Sequence, residues 1–168
     1  MPSSSSERMR PVNDADILRR LDELGLELPP PPEPVASYLP VTQTGSLAFV
    51  AGQVAMVDGQ LLHPGRLGKQ VSVEMGQEAA VRAALQALSA LRHHLGGSFD
   101  GLVRILQLTV FVAADTEFIE HPKVANGASD MLVAVLGPDG GHARAAVGVA
   151  SLPLGASIEI TVTAEVSG

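Results

Sequence analysis

From Ser157 to Val166 the chain alternates without a break. Ile158, Ile160, Val162, Ala164 and Val166 fall on one side, and Ser157, Glu159, Thr161, Thr163 and Glu165 on the other. Successive side chains of a β-strand point to opposite faces, so this is a strand with one apolar and one polar face. Strands of a doubly wound parallel sheet are covered on both faces and read as apolar throughout. A sheet containing this strand is therefore covered on one face only, and its polar side looks to water or to a partner.

The cover is legible upstream. Over 74–95, Val81, Ala84, Leu85, Leu88, Leu91 and Leu95 recur at helical spacing, with Ser72 or Glu74 favouring the start and Gly96 and Gly97 the stop. Val124, Ala128, Met131, Leu132 and Val135 predict a second helix between Pro122 and the pair Gly137 and Pro138. Strands are expected at 47–54, at 102–113 as a central strand, at 144–151 and at 156–166. Asp58 and Gly59, between short apolar runs, signal a hairpin that supplies the second opening strand. The order is ββαβαββ, an α+β sheet with two helices on one face.

The 168 residues suit one domain. Residues 1–13 read as a disordered tail. Residues 14–35 read as a short surface helix, with Ile17, Leu18, Leu21 and Leu24 on one face and Asn13 or Asp14 as N-cap, followed by a stiff Pro-rich spacer. Residues 36–168 form the domain proper. Aromatic residues make up 3% of the chain, with one Tyr and no Trp, so Ala, Val and Leu must build the core, and self-association is expected to bury what they leave exposed.

The absence of Cys excludes disulfides, thiolate metal sites and Cys nucleophiles, and fits a reducing compartment. A net charge of −7 with two Lys offers phosphates no electrostatic footprint, which disfavours nucleic acid as a partner. No apolar run suits a bilayer and no signal-peptide core is visible, so no membrane association and a cytoplasmic location are expected. Phosphate-loop, dinucleotide-binding, zinc-protease and nucleophile-elbow motifs are missing. His93 and His94 suit the end of the long helix. His63, His121 and His142 stand isolated in sequence, so neither a metal nor a cofactor site is expected.

Arg144 heads a strand whose alternation buries Val147 and Val149 and places Arg144 opposite them, in a row with Ala146, Gly148 and Ala150. A guanidinium among small neighbours suits bidentate capture of a carboxylate; a surface or inter-subunit salt bridge fits the same pattern. Glu159 reads either as a solvated strand residue or as a carboxylate that orients a water beside Arg144. Asn126 followed by Gly127 inside a helix indicates an exposed face, a close backbone approach or a polar contact.

The stretch ARAAVGVASLPLGASIEI over 143–160 resembles the signature of the Rid family (reactive intermediate deaminases, YjgF-like or L-PSP proteins): an Arg, a short strand, Leu-Pro and a V/I-E-I strand. Tyr38, the run Ala51, Gly52 and Gln53, and Asn126 fit the same spacing, so the resemblance covers residues 38–166. It implies a chorismate-mutase-like fold assembled as a barrel-like homotrimer with clefts between subunits. It also implies cofactor-independent hydrolysis of enamine and imine intermediates of the 2-aminoacrylate type to 2-keto acids and ammonia. In that reading Arg144 and Glu159 are catalytic, Tyr38, Asn126, Gly52 and Ala146 contact substrate, and the ligand is a small 2-imino or 2-keto acid. Ala51, and Ala145 with Ala146, stand where hydroxyl or thiol residues are common in the family. A non-catalytic trimer that binds small carboxylates or a partner is the alternative.

Overall fold

A computed structural model of the protein describes residues 13–33 and 37–168. The reading of 1–13 as a tail lies outside the described residues except for Asn13. The N-terminal helix, α1, spans Asp14–Glu23, and Asn13 caps it by accepting from Ala15 N. Strands β1 (Val41–Thr44) and β2 (Leu47–Val54) follow, then the small strands β3 (Met56–Val57) and β4 (Gln60–Leu61). Helix α2 spans Val73–His94, β5 Leu102–Ala113, α3 His121–Leu136, β6 Ala143–Val149 and β7 Ile158–Val166.

Five strands form the main sheet in the order β1-β2-β7-β5-β6, antiparallel except for the parallel pair β5 and β6. Helix α2 packs across β2 and β7, and α3 across β5 and β6, so both cover one face. The apolar side of β7 lies against them, with Ile158, Ile160, Ala164 and Val166 at most 1% exposed. On the other face Leu47, Phe49 and Val147 are exposed. Among the described residues no helix is long and apolar enough to cross a membrane.

The order ββαβαββ is that of the main sheet, but its first strand is not the predicted one. The Asp58-Gly59 hairpin forms, with both residues at positive φ, yet β3 and β4 make a separate two-stranded sheet. The pairing partner of β2 is β1, whose sequence VTQT buries only Val41 and carries no periodic signal. Two expectations about burial fail. Val147 is 43% exposed, because the helix side of β6 belongs to Arg144, Ala146 and Gly148, which register with buried Leu108, Val110 and Val112. Ser157 is buried rather than on a wet face, its carbonyl accepting from Ala113 N at the C-terminal end of β5.

Helix α1 is docked rather than loosely attached. Ile17 and Leu21 are buried, and the Asp14 carboxylate accepts from Arg92 Nε (2.9 Å), Arg92 Nη2 (3.1 Å) and Phe99 N (2.8 Å). Arg20 Nη1 donates to the carbonyl of Val135 on α3, and Ser89 Oγ donates to Pro29 O at 2.6 Å, which pins the proline segment to α2. The Arg92 hydrogen bonds, helped by the Phe99 amide, hold Asp14 below the ordinary carboxylate range. A depressed carboxylate contributes stability above its unfolded pKa and loses it as pH falls through the folded value. Asp14→Asn is therefore expected to lower stability at neutral pH by about 1.5–3 kcal/mol. Its melting temperature should fall less steeply than that of the wild type on acidification below about pH 4. Parallel melting curves for the two proteins across that range would remove the anchor.

Candidate functional site

Strand β6 pairs on one side only, so the row of Arg144, Ala146 and Gly148 sits at the sheet's edge under α3. Arg144 Nη1 donates to Asn126 Oδ1 at 2.8 Å and to Ser129 Oγ at 3.1 Å. Nη1 has two hydrogens, and these two bonds use both. Among the described residues nothing accepts from Nε or Nη2, so the guanidinium is held by one nitrogen while its other edge stays open. Ala146 packs against the core and adds no bulk beside it.

Asn126 reaches Arg144 because α3 lies close to α2. A Cβ at Gly127 would strike the backbone of Gln77, whose side-chain Nε2 donates to Lys123 O at 2.8 Å. The Asn126-Gly127 pair thus makes both the polar contact and the close approach that its composition suggested.

Glu159 occupies the other face. It registers with Phe111 on β5 and with Val54 on β2, beside a bulge between Val50 and Gln53. Gly52 lies in that bulge, and a Cβ there would collide with Glu159 Oε1. Flanked in this way the carboxylate is desolvated, and burial raises its pKa. Ala51 N donates to Pro40 O at 2.9 Å, which ties the segment bearing the half-exposed Tyr38 to the same bulge.

The six residues singled out from sequence therefore fall into two groups. Arg144, Asn126 and Ala146 share the helix side of the sheet edge; Glu159 and Gly52, with the Tyr38 segment tethered nearby, belong to the open side. Arg144 registers with Leu108 and Glu159 with Phe111 on the same strand, an odd offset of three positions, which in a pleated sheet means opposite faces. One chain therefore does not place Glu159 beside Arg144, as the sequence led us to expect, because the pleat sends the two side chains to opposite faces. An open cleft of about 390 Å³ lies farther along β6, lined by Arg66, Phe118, His121 and Gly148 among others, and does not include Arg144. Ser129, which carries no sequence signal, touches Arg144 directly, and His142, isolated in sequence, stands behind it through Ser129. No metal-ligand cluster of three or more His, Asp or Glu occurs among the described residues.

A one-face-covered mixed sheet with this strand order and an Arg-bearing edge defines a chorismate-mutase-like α+β protein. Residues 18–166 match the family model described as "YjgF/chorismate_mutase-like, putative endoribonuclease", and the chain belongs to that family. It is similar to protein TCP17 of Trypanosoma cruzi, with 38% identity over 160 residues, covering 95% of this chain and 99% of the relative. The crystal structure of Atu1372 from Agrobacterium tumefaciens superposes with a TM-score of 0.86 at 40% identity, over 92% of this chain and 94% of that one. Escherichia coli TdcF, solved with bound serine, shares the fold at a TM-score of 0.58 and 22% identity, over 82% and 94% of the two chains.

Two glycines at the site should respond differently to a methyl group. At Gly127 the obstacle is backbone, so Gly127→Ala is expected to reduce the unfolding free energy by about 1–3 kcal/mol. At Gly52 the obstacle is the tip of a flexible side chain, so Gly52→Ala should cost under about 1 kcal/mol while displacing the Glu159 carboxylate. Urea unfolding of both variants measures the contrast; equal losses would contradict it.

Proposed function

We propose that the protein hydrolyses 2-imino acids, the tautomers of enamines such as 2-aminoacrylate, to 2-keto acids and ammonia in clefts between subunits of a homotrimer. The observation that carries this reading is the Nε/Nη2 edge of Arg144, unpartnered among the described residues and pre-oriented through Nη1 by Asn126 and Ser129. Such an edge fits both oxygens of one carboxylate. Each chain holds half of the machinery on either side of its sheet, so a neighbouring copy must bring its Glu159, Gly52 and Tyr38 to the Arg144, Asn126 and Ala146 of this one. Exposed Leu47, Phe49 and Val147, and the unpaired edge of β6, supply surface for that assembly. The serine in TdcF supports a small amino-acid-like ligand.

In the assembled cleft Arg144 anchors the substrate carboxylate. Glu159 takes a proton from a water, whose oxygen bonds to the imine carbon as the C=N π pair moves to nitrogen, which is protonated. The carbinolamine then collapses: protonated Glu159 gives its proton to the amino nitrogen, the C–N pair leaves with ammonia, and the hydroxyl proton passes to solvent as the keto group forms, which balances the proton that nitrogen took from solvent in the first step. An imine carbon is already electrophilic, so positioning, a base and a proton route suffice. The raised pKa of Glu159 makes it a stronger base than an exposed glutamate. The net charge of −7 favours this reading over RNA cleavage.

An assay in which a dehydratase or amino-acid oxidase generates imines in situ, with keto-acid release timed with and without the protein, tests the activity. Keto-acid binding without acceleration would favour the non-catalytic alternative, and a stable monomer in sedimentation would remove the cleft. Glu159→Gln should slow turnover by roughly 100-fold and abolish an acid limb lying above the ordinary glutamate range, since ionised Glu159 is the active form. Arg144→Lys keeps the charge but loses the fork, and should weaken 2-ketobutyrate binding in calorimetry by about 1.5–3 kcal/mol. Equal affinities would overturn the anchor.

A further inference from the structure

Ser129 lies three residues after Asn126 on α3, on the same helix face, and His142 lies two residues before Arg144. Ser129 Oγ is 2.9 Å from His142 Nε2, and His142 Nδ1 is 2.6 Å from Gly140 O. A carbonyl oxygen only accepts, so Nδ1 carries the ring hydrogen and, in the neutral imidazole, Nε2 is the acceptor. Ser129 Oγ already accepts from Arg144 Nη1 and has its own hydrogen free for Nε2. The result is a directional chain from Arg144 Nη1 through the Ser129 hydroxyl and the His142 ring to the Gly140 carbonyl. Gly140 is itself fixed: it is buried, and a Cβ there would strike the carbonyl of Leu132 on α3.

We propose that Ser129 and His142 are positioning residues that hold the Arg144 guanidinium by Nη1, so that its Nε/Nη2 edge faces the ligand carboxylate. A serine inside a helix otherwise turns its hydroxyl to the carbonyl four residues back, which here is that of Ala125. His142 draws the hydrogen away from that alternative and leaves an Oγ lone pair aimed at Arg144. Without the hydroxyl, Nη1 keeps only Asn126 and the fork is free to rotate. The effect on substrate rests on the carboxylate-anchor reading above; the hydrogen-bond chain does not.

Two measurements on the full chain separate these. Nitrogen-15 NMR of the neutral imidazole should show His142 with its hydrogen on Nδ1 and Nε2 bare, with the Nε2 resonance moving in Ser129→Ala; a neutral ring with its hydrogen on Nε2 would overturn the chain. Calorimetry with 2-ketobutyrate should show Ser129→Ala and His142→Ala each weakening binding by about fivefold to tenfold. The double variant should be no weaker than Ser129→Ala alone. Ser129→Thr and His142→Gln, which keep a hydroxyl and an acceptor, should restore most of the affinity. In the imine assay the loss should fall on KM, with kcat within about twofold. Additive losses, or a loss in kcat alone, would overturn the positioning role. A wild type that binds no keto acid while showing the expected His142 spectrum would refute the carboxylate reading and uphold the chain.

Discussion

A β-strand sends neighbouring side chains to opposite faces, and in this molecule that alternation decides what each residue can do. Along β7 it gives the helices a buried face and puts Glu159 on the other one. Along β6 it turns Arg144 toward α3 and Val147 away from it. A shift of one residue in either strand would exchange the core for the surface, so neither charge can move to meet the other without unmaking the sheet. The proposed chemistry, which needs both charges, therefore has self-association as a condition.

The core meets its shortage of aromatic residues by close approach. Helix α2 buries Ala79, Ala80, Ala83, Ala84, Ala87 and Ala90, and Gly76 and Gly127 remove the last obstacles between α2, α3 and the segment around Leu67. Small side chains bury little area each, but they let backbones come near enough for dense packing. That nearness is also what delivers Asn126 to Arg144. Helix α1 and the proline segment extend the same layer through buried Ile17 and Leu21 and the Asp14–Arg92 pair, so they stabilise the helices that aim the site.

Elements whose own sequence carries a period were readable in advance. Helices α2 and α3 and strands β5 and β7 lie within a residue or two of their expected bounds, because burial of one face leaves its mark on the pattern. Strand β1 left no such mark: at the sheet's edge it buries one residue of four. The row containing Arg144 was recognisable from its alternation, but which side of β6 met the helices was not, since small residues on one side and valines on the other suit either orientation. Among site residues, Asn126 with Gly127 was conspicuous as an odd pair for a helix interior. Ser129 and His142 were not, because a hydroxyl and an imidazole thirteen positions apart become a unit only when the turn after α3 folds back to start β6.

The hold on Arg144 bears on how an inter-subunit cleft of the proposed kind can work at all. A guanidinium brought beside a desolvated carboxylate tends to pair with it, and a direct pair would occupy the fork and depress the pKa of the base. The site then needs the two charges near enough to share one small substrate yet far enough apart for a water and an imine carbon to lie between them. Length alone does not secure this, since an arginine side chain is long and free to swing. Binding Nη1 to two acceptors on α3 shortens its reach to an arc set by the helix, and the lack of a side chain at Gly52 lets the Glu159 side chain lie against the bulge. Each charge is thus restrained within its own chain, and in the proposed assembly the gap between them would be set by how the sheets dock.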